Sequence, residues 1–173
     1  YLNLKSYRKS LLSNSNPYTP AVNLVFALDE ALKMMREEGL DNIFLRHNKH
    51  KLAMSNAVKA LNLKLFADEK YLSPSITAIK TEGIDAEEFR KTIKNNFDIL
   101  LAGGQDHLKG KIFRVGHLGY VNDRDIITVV SAISNTLLNL GKISAQQAGE
   151  ALVVVSEYLA VSYTHLRAHE TLS

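Results

Sequence analysis

The 173-residue chain contains no cysteine. Disulfides, thiolate metal sites, iron–sulfur ligation and a cysteine nucleophile are therefore excluded from its own chemistry. Long apolar runs are also missing. None exceeds five residues, Ala151 to Val155 being one, against the ~20 that a membrane-spanning helix needs. No charge of one sign dominates: 21 Lys and Arg against 18 Asp and Glu leave +3, too little to imply a nucleic acid or an anionic membrane as partner. The chain opens at Tyr1 without an initiator Met and without a charged, then apolar, leader. It is expected to be a cytoplasmic piece cut from a longer protein. What is present is a globular composition, 46% apolar and 23% charged, enough to build a core and to exclude disorder as the dominant state.

Residues 1–18 read as polar and irregular, ending in the loop-forming run Ser13-Asn14-Ser15-Asn16-Pro17. Thr19 is placed to cap a helix with Pro20 at its first position. Leu24, Leu28, Ala31 or Leu32, and Met35 then recur at helical spacing up to Gly39. A second helix is expected over 40–60, with Phe44, Ala53, Ala57 and Leu61 on one side and a solvated face of Arg46, Lys49, Lys51 and Lys59. Strands are expected around 63–67, 75–80, 99–102 and 111–117. Helices are expected at 86–97 behind the cap Asp85, at 123–140 behind Asp123, and at 146–160. The fold class is α+β, with helices packed on one face of a small, mostly antiparallel sheet.

Five of the nine glycines (Gly103, Gly104, Gly110, Gly116 and Gly119) fall within 17 residues. Such a cluster marks tight turns or a close approach of backbone to a ligand. Arg114 sits among them on an expected strand, sharing a face with Ile112 and Gly116. An arginine in that setting suits a carboxylate held bidentately in a partly dry pocket; it equally suits a strand-edge pair with a surface acid. Asn16-Pro17-Tyr18-Thr19-Pro20 offers a hydroxyl and N–H groups at a helix start, which can hold a phosphate or serve only as a cap. His47 and His50 stand three apart with no third ligand nearby, so no metal site is expected. His107 and His117 flank the glycine cluster, either lining a pocket or serving the structure. No Ser/His/Asp set or HExxH pattern is present. The run from Lys109 to Val115 lacks the aromatic that an RNA-binding sheet motif needs at Lys111.

Several segments carry a resemblance in their content and order. They are Pro17-Tyr18-Thr19-Pro20-Ala21-Val22, Leu28-Asp29-Glu30-Ala31-Leu32, Glu37-Glu38-Gly39-Leu40, Arg46-His47, and Ala60 to Phe66. Gly83-Ile84-Asp85, Leu101-Ala102-Gly103-Gly104-Gln105 and the block from Leu108 to Tyr120 complete the set. Over about residues 1–160 the chain resembles the C-terminal part of class V aminotransferases, the alanine–glyoxylate/serine–pyruvate aminotransferase family. The resemblance implies a fold-type-I homodimer that uses pyridoxal 5′-phosphate. An amino group would pass from alanine, serine or glycine to glyoxylate or pyruvate, the cofactor acting as electron sink.

By the same resemblance Arg114 binds the substrate α-carboxylate, and Gly103 and Gly104 line the substrate mouth. Thr19 reaches the cofactor phosphate of the partner subunit, and Asn16 stands where some members place a tyrosine for the same contact. The family's cofactor-bearing lysine lies in a Ser-x-Lys-Gly segment that is absent here. No catalytic residue is thus expected in this stretch, and the stretch by itself is expected to be inactive. Residues 1–60 would close the large cofactor domain, 61–142 form the small C-terminal domain, and 143–160 add a C-terminal helix. Residues 161–173 resemble the translated sequencing-adapter tail of a metagenome-assembled reading frame and are expected to be non-native. The missing cysteine disfavours desulfuration, which related enzymes perform. A lyase of the same family, or a non-catalytic amino-acid sensor built on Arg114, stands as the alternative.

Overall fold

The computed structural model describes residues 2–160; the expected adapter tail lies outside them. The chain divides into two compact units, Tyr1–Ile43 and Phe44–Ser173.

The first unit holds α1 (Leu4–Leu11), α2 (Val22–Glu38) and the start of α3 (Leu40–Ala60). The α1 helix falls where irregular chain was expected. Asn3 accepts the Lys5 N–H and starts it; Leu4, Tyr7 and Leu11 recur on one side at helical spacing, a stripe that sequence reasoning passed over, yet none of its residues is buried. The start of α2 also differs from the expected one. Thr19 caps nothing and Pro20 lies outside the helix; Ala21 precedes it without a side-chain cap. The reason is local. Ala21 adopts φ −78° and ψ 65°, an inverse γ-turn in which the Pro20 carbonyl accepts the Val22 N–H at 2.9 Å. Gly39 ends the helix at φ +83°, as its sequence position suggested.

The second unit carries the core. Four antiparallel strands run in the order β1 (Lys64–Leu65), β2 (Ile76–Lys80), β4 (Ile112–Gly116), β3 (Ala102–Gly103). The register places Thr77 opposite Val115 and Ile79 opposite Phe113. These four side chains are buried and share one face, because alternate residues of a strand point the same way. On that side stand α4 (Ala86–Phe97), α5 (Asp123–Asn139) and the C-terminal half of α3, joined in one apolar core with α6 (Ala145–Ala160), which packs on α5. Each helix presents an apolar stripe at helical spacing: Phe89 and Ile93 from α4, Ile126, Val130, Ile133 and Leu137 from α5, Ala151 and Val155 from α6. The Phe89 and Phe113 rings lie 5.1 Å apart, tying α4 to the sheet.

The local starts are well made. Asp85 accepts the N–H groups of Glu87 and Glu88, the cap expected for α4. For α5 the cap is Asn122 rather than Asp123. Asn122 and Asp125 form a reciprocal capping box, which releases the Asp123 carboxylate for another use. The third strand is two residues, Ala102–Gly103, instead of 99–102. The Leu101 carbonyl that would extend it accepts from Arg90 Nε at 2.7 Å instead. Among the described residues no helix is long and apolar enough to cross a membrane.

Candidate functional site

With helices covering one face of the sheet, the opposite face belongs to Ile76, Ala78, Lys80, Ala102, Ile112, Arg114 and Gly116. Arg114 is half-buried there. Its Nε donates to the Gly103 carbonyl at 3.0 Å, which fixes the plane of the guanidinium. No carboxylate of the described residues pairs with it, whereas Arg90, Lys33, Lys49, His50, Lys59 and Lys64 each meet an acid. The strand-edge pair with a surface acid is therefore not what forms. The terminal nitrogens are left with the two parallel N–H groups that match a carboxylate.

Arg114 and Gly103 are thus brought into direct contact, with Gly104 next in the chain. Gly104 has a strict structural reason: a Cβ would collide with the Leu108 backbone carbonyl. At Gly103 a Cβ would meet the ends of the Arg90 and Glu87 side chains at 2.5 and 2.6 Å, a pair that joins at 2.7 Å. Asn16 and Thr19 lie in the first unit, both exposed, on the connection between α1 and α2.

Sequence reasoning missed a second polar assembly. The basic residues of α3 taken as a solvated face divide: Lys59 is exposed, but Lys49 is buried and Arg46 half-buried. The signal was present in the spacing, since His47, His50, Met54, Ala57 and Leu61 continue a single buried stripe. Arg46 Nη1 donates to the carbonyls of Gly119 and Val121 at 2.9 and 2.8 Å. His47 Nε2 accepts the Gly119 N–H at 3.2 Å. Lys49 Nζ and His50 Nε2 both donate to the Asp123 carboxylate at 2.8 Å. Helix α3 therefore holds residues 119, 121 and 123 of the connection that leaves β4.

His117, at the strand exit, is fully buried. Its Nδ1–H donates to the Pro74 carbonyl at 3.0 Å and its Nε2 accepts from the Thr77 hydroxyl at 2.9 Å. Burial, with His50 and His47 nearby, pushes its pKa down to about 4 against the Pro74 bond that opposes the fall. The ring is neutral at pH 7 and structural. Burial likewise lowers His50, partly offset by Asp123, and leaves its Nδ1 without a hydrogen bond. Burial would raise the Asp123 carboxyl, but the bonds from Lys49 and His50 outweigh it and hold it below its usual range. Among the described residues no group of three or more potential ligands is placed to hold a metal ion. His107 is exposed.

Known proteins share this fold. No protein-family model matches the chain. A soluble hydrogenase 42 kDa subunit of Anabaena cylindrica is 53% identical over 141 residues, 82% of this chain and 37% of that protein. An uncharacterized aminotransferase of Methanocaldococcus jannaschii is 38% identical over 143 residues, again 82% and 37%. In three dimensions the ureidoglycine–glyoxylate aminotransferase of Bacillus subtilis superposes with a TM-score of 0.77 at 32% identity, covering 84% of this chain and 38% of that one. The fold is that of the C-terminal part of fold-type-I aminotransferases. Within that class the chain's relatives and structural neighbours are class V aminotransferases, which are pyridoxal-phosphate-dependent in general. The chain spans about 37% of the length of the curated relatives it matches.

Proposed function

We propose that this chain is the substrate-anchoring part of a pyridoxal-phosphate transaminase that moves an amino group from alanine, serine or glycine to glyoxylate or pyruvate. The observation that carries the reading is Arg114: half-buried on the open sheet face, fixed through Nε by the Gly103 carbonyl, and without an acid of its own. In this role its terminal nitrogens bind the α-carboxylate of either substrate bidentately, orienting the carbon that exchanges its amino group. Gly103 and Gly104 form the rim of the substrate mouth. The cofactor, when bound, supplies the electron sink for the reaction. This chain's contribution to holding it is a hydroxyl: that of Thr19 is exposed and is not spent on capping α2, so it is available to a phosphate, with Asn16 beside it. In this reading the phosphate belongs to the second subunit of a homodimer. Residues 1–60 are then the end of the large domain, 61–142 the small domain and 143–160 its C-terminal helix.

The relative from Anabaena carries a hydrogenase name; the present stretch has no cysteine and so brings no thiolate metal ligand of its own. It offers a carboxylate anchor instead.

The test is Arg114→Lys in the full-length protein, with alanine or serine against glyoxylate. Each charge-assisted hydrogen bond is worth ~1.5–3 kcal/mol, and lysine cannot reproduce the fork. KM for both the amino and the 2-oxo acid is expected to rise ~10–100-fold. Unchanged KM values for both substrates would overturn the assignment.

A further inference from the structure

Strand β3 is an edge strand of two residues, and an edge leaves backbone groups without ladder partners. The Gly104 N–H donates to the Ile112 carbonyl at 3.2 Å. Hydrogen-bonded pairs alternate along an antiparallel ladder, so Gly103, opposite Phe113, forms no ladder bond with β4. Side chains take over instead. The Gly103 carbonyl accepts from Arg114 Nε at 3.0 Å, and the Leu101 carbonyl, two residues earlier, accepts from Arg90 Nε at 2.7 Å. Two arginines from two different elements thus hold one short edge.

They reach it from opposite faces of the sheet. Gly103 shares the helix-covered face with Phe113, and a Cβ there would strike the ends of Arg90 and Glu87 at 2.5 and 2.6 Å. Arg114 belongs to the other face. Arg90 is itself aimed: its Nη1 donates to Glu87, one turn earlier in α4, at 2.7 Å. Both side chains are half-buried. Glu87, Arg90, the backbone from Leu101 to Gly103, and Arg114 therefore form an unbroken line of contacts. Only a residue without a side chain at 103 lets Arg90 lie against that backbone.

We propose that Arg90 is a positioning residue for Arg114. By holding the Leu101 carbonyl and lying against Gly103, it fixes the edge backbone from the helix side. The Gly103 carbonyl then has one place from which to accept Arg114 Nε, and the guanidinium is held in one plane. Glu87 sets the Arg90 side chain in turn. Arg90 touches no substrate; it acts on the affinity for the α-carboxylate through Arg114. The inference rests on the reading of Arg114 as the carboxylate anchor. It gives α4 a part in the site although that helix stands on the far face of the sheet.

The experiment is a double-mutant cycle in the full-length protein: Arg90→Gln, Arg114→Lys and the two together. Thermal unfolding of each is measured beside KM and kcat for alanine and pyruvate. Arg90→Gln alone is expected to raise both KM values ~3–10-fold, the worth of about one hydrogen bond, with kcat changed less. In the Arg114→Lys background there is no Nε for Gly103 to hold, and the same substitution is expected to move KM by less than ~2-fold. A merely structural role would lower the melting temperature in both backgrounds and raise KM by the same factor in both. That result overturns the positioning role, as do parent-like KM values for Arg90→Gln beside raised ones for Arg114→Lys; in either case the anchor stands. Unimpaired Arg114→Lys overturns both. Should Arg90→Gln fail to fold, Glu87→Gln, which keeps an acceptor for Arg90 but not its charge, is carried through the same cycle and judged by the same criteria.

Discussion

Acid should unfold this protein through His117, and the size of the effect can be worked out. The neutral ring is walled in and bonded at both nitrogens, with a folded pKa of about 4. In the unfolded chain the same ring titrates at the ordinary ~6.5. Between these values the unfolded state binds the extra proton and the native state does not, so stability falls as pH falls through that window and is regained above it. The slope approaches ~1.4 kcal/mol per pH unit near pH 5, and the accumulated loss is about 2 kcal/mol at pH 5 and about 3 kcal/mol at pH 4. His50, also lowered by burial, adds in the same direction. Asp123, held low by its partners, contributes only as pH falls below its unfolded value. Urea unfolding followed by circular dichroism at pH 7, 6, 5 and 4.5 measures this directly. The control is His117→Asn, which keeps a donor for the Pro74 carbonyl but cannot titrate. It should be ~1–2 kcal/mol less stable than the parent at pH 7, for the lost Thr77 bond and the smaller side chain. Its stability should depend on pH distinctly less. Parallel pH profiles for parent and variant would refute the reasoning.

Two further outcomes follow from the same geometry. Asp123→Asn removes the carboxylate that meets both Lys49 and His50; because Asp123 itself is 42% exposed, we expect a loss of about 1–3 kcal/mol by urea unfolding rather than the larger cost of breaking a fully buried pair. Gly104→Ala should destabilise by ~1–3 kcal/mol, since the Leu108 carbonyl occupies the place of the new methyl. A parent-like melting temperature for either variant would contradict the packing described for it.

Much of the second unit was legible in the sequence because its signals are local. Asp85 followed by Phe89 and Ile93 gives both the start and the buried face of α4. The alternation around Arg114 gives β4 and groups the arginine with Ile112 and Gly116 on one face of it. Other features were hidden for physical reasons. The α1 helix has a stripe of only three apolar residues, Leu4, Tyr7 and Leu11, which buries nothing and stands beside the loop-forming run 13–17, so it was overlooked. The start at Thr19 failed because the backbone at Ala21 turns before the helix begins, a choice of ψ that residue type does not reveal. The basic face of α3 was misread because its partners lie more than seventy positions away, at Gly119, Val121 and Asp123. The absence of an acid beside Arg114 is likewise a property of three-dimensional neighbours. Pattern alone could pick out the arginine but could not choose between its two roles.

The clasp of α3 on the segment after β4 bears on how this protein can change over time. Its grip falls on positions 119, 121 and 123, while Leu118 and Tyr120 between them stand 70% and 84% exposed. A one-residue insertion or deletion there would exchange the two sets, turning Leu118 or Tyr120 toward Lys49 and carrying the Asp123 carboxylate into water. Descendants of this sequence should therefore conserve the length of that connection while surface loops elsewhere drift, and the distance along the chain from Arg114 to α5 should persist even where the residues themselves do not.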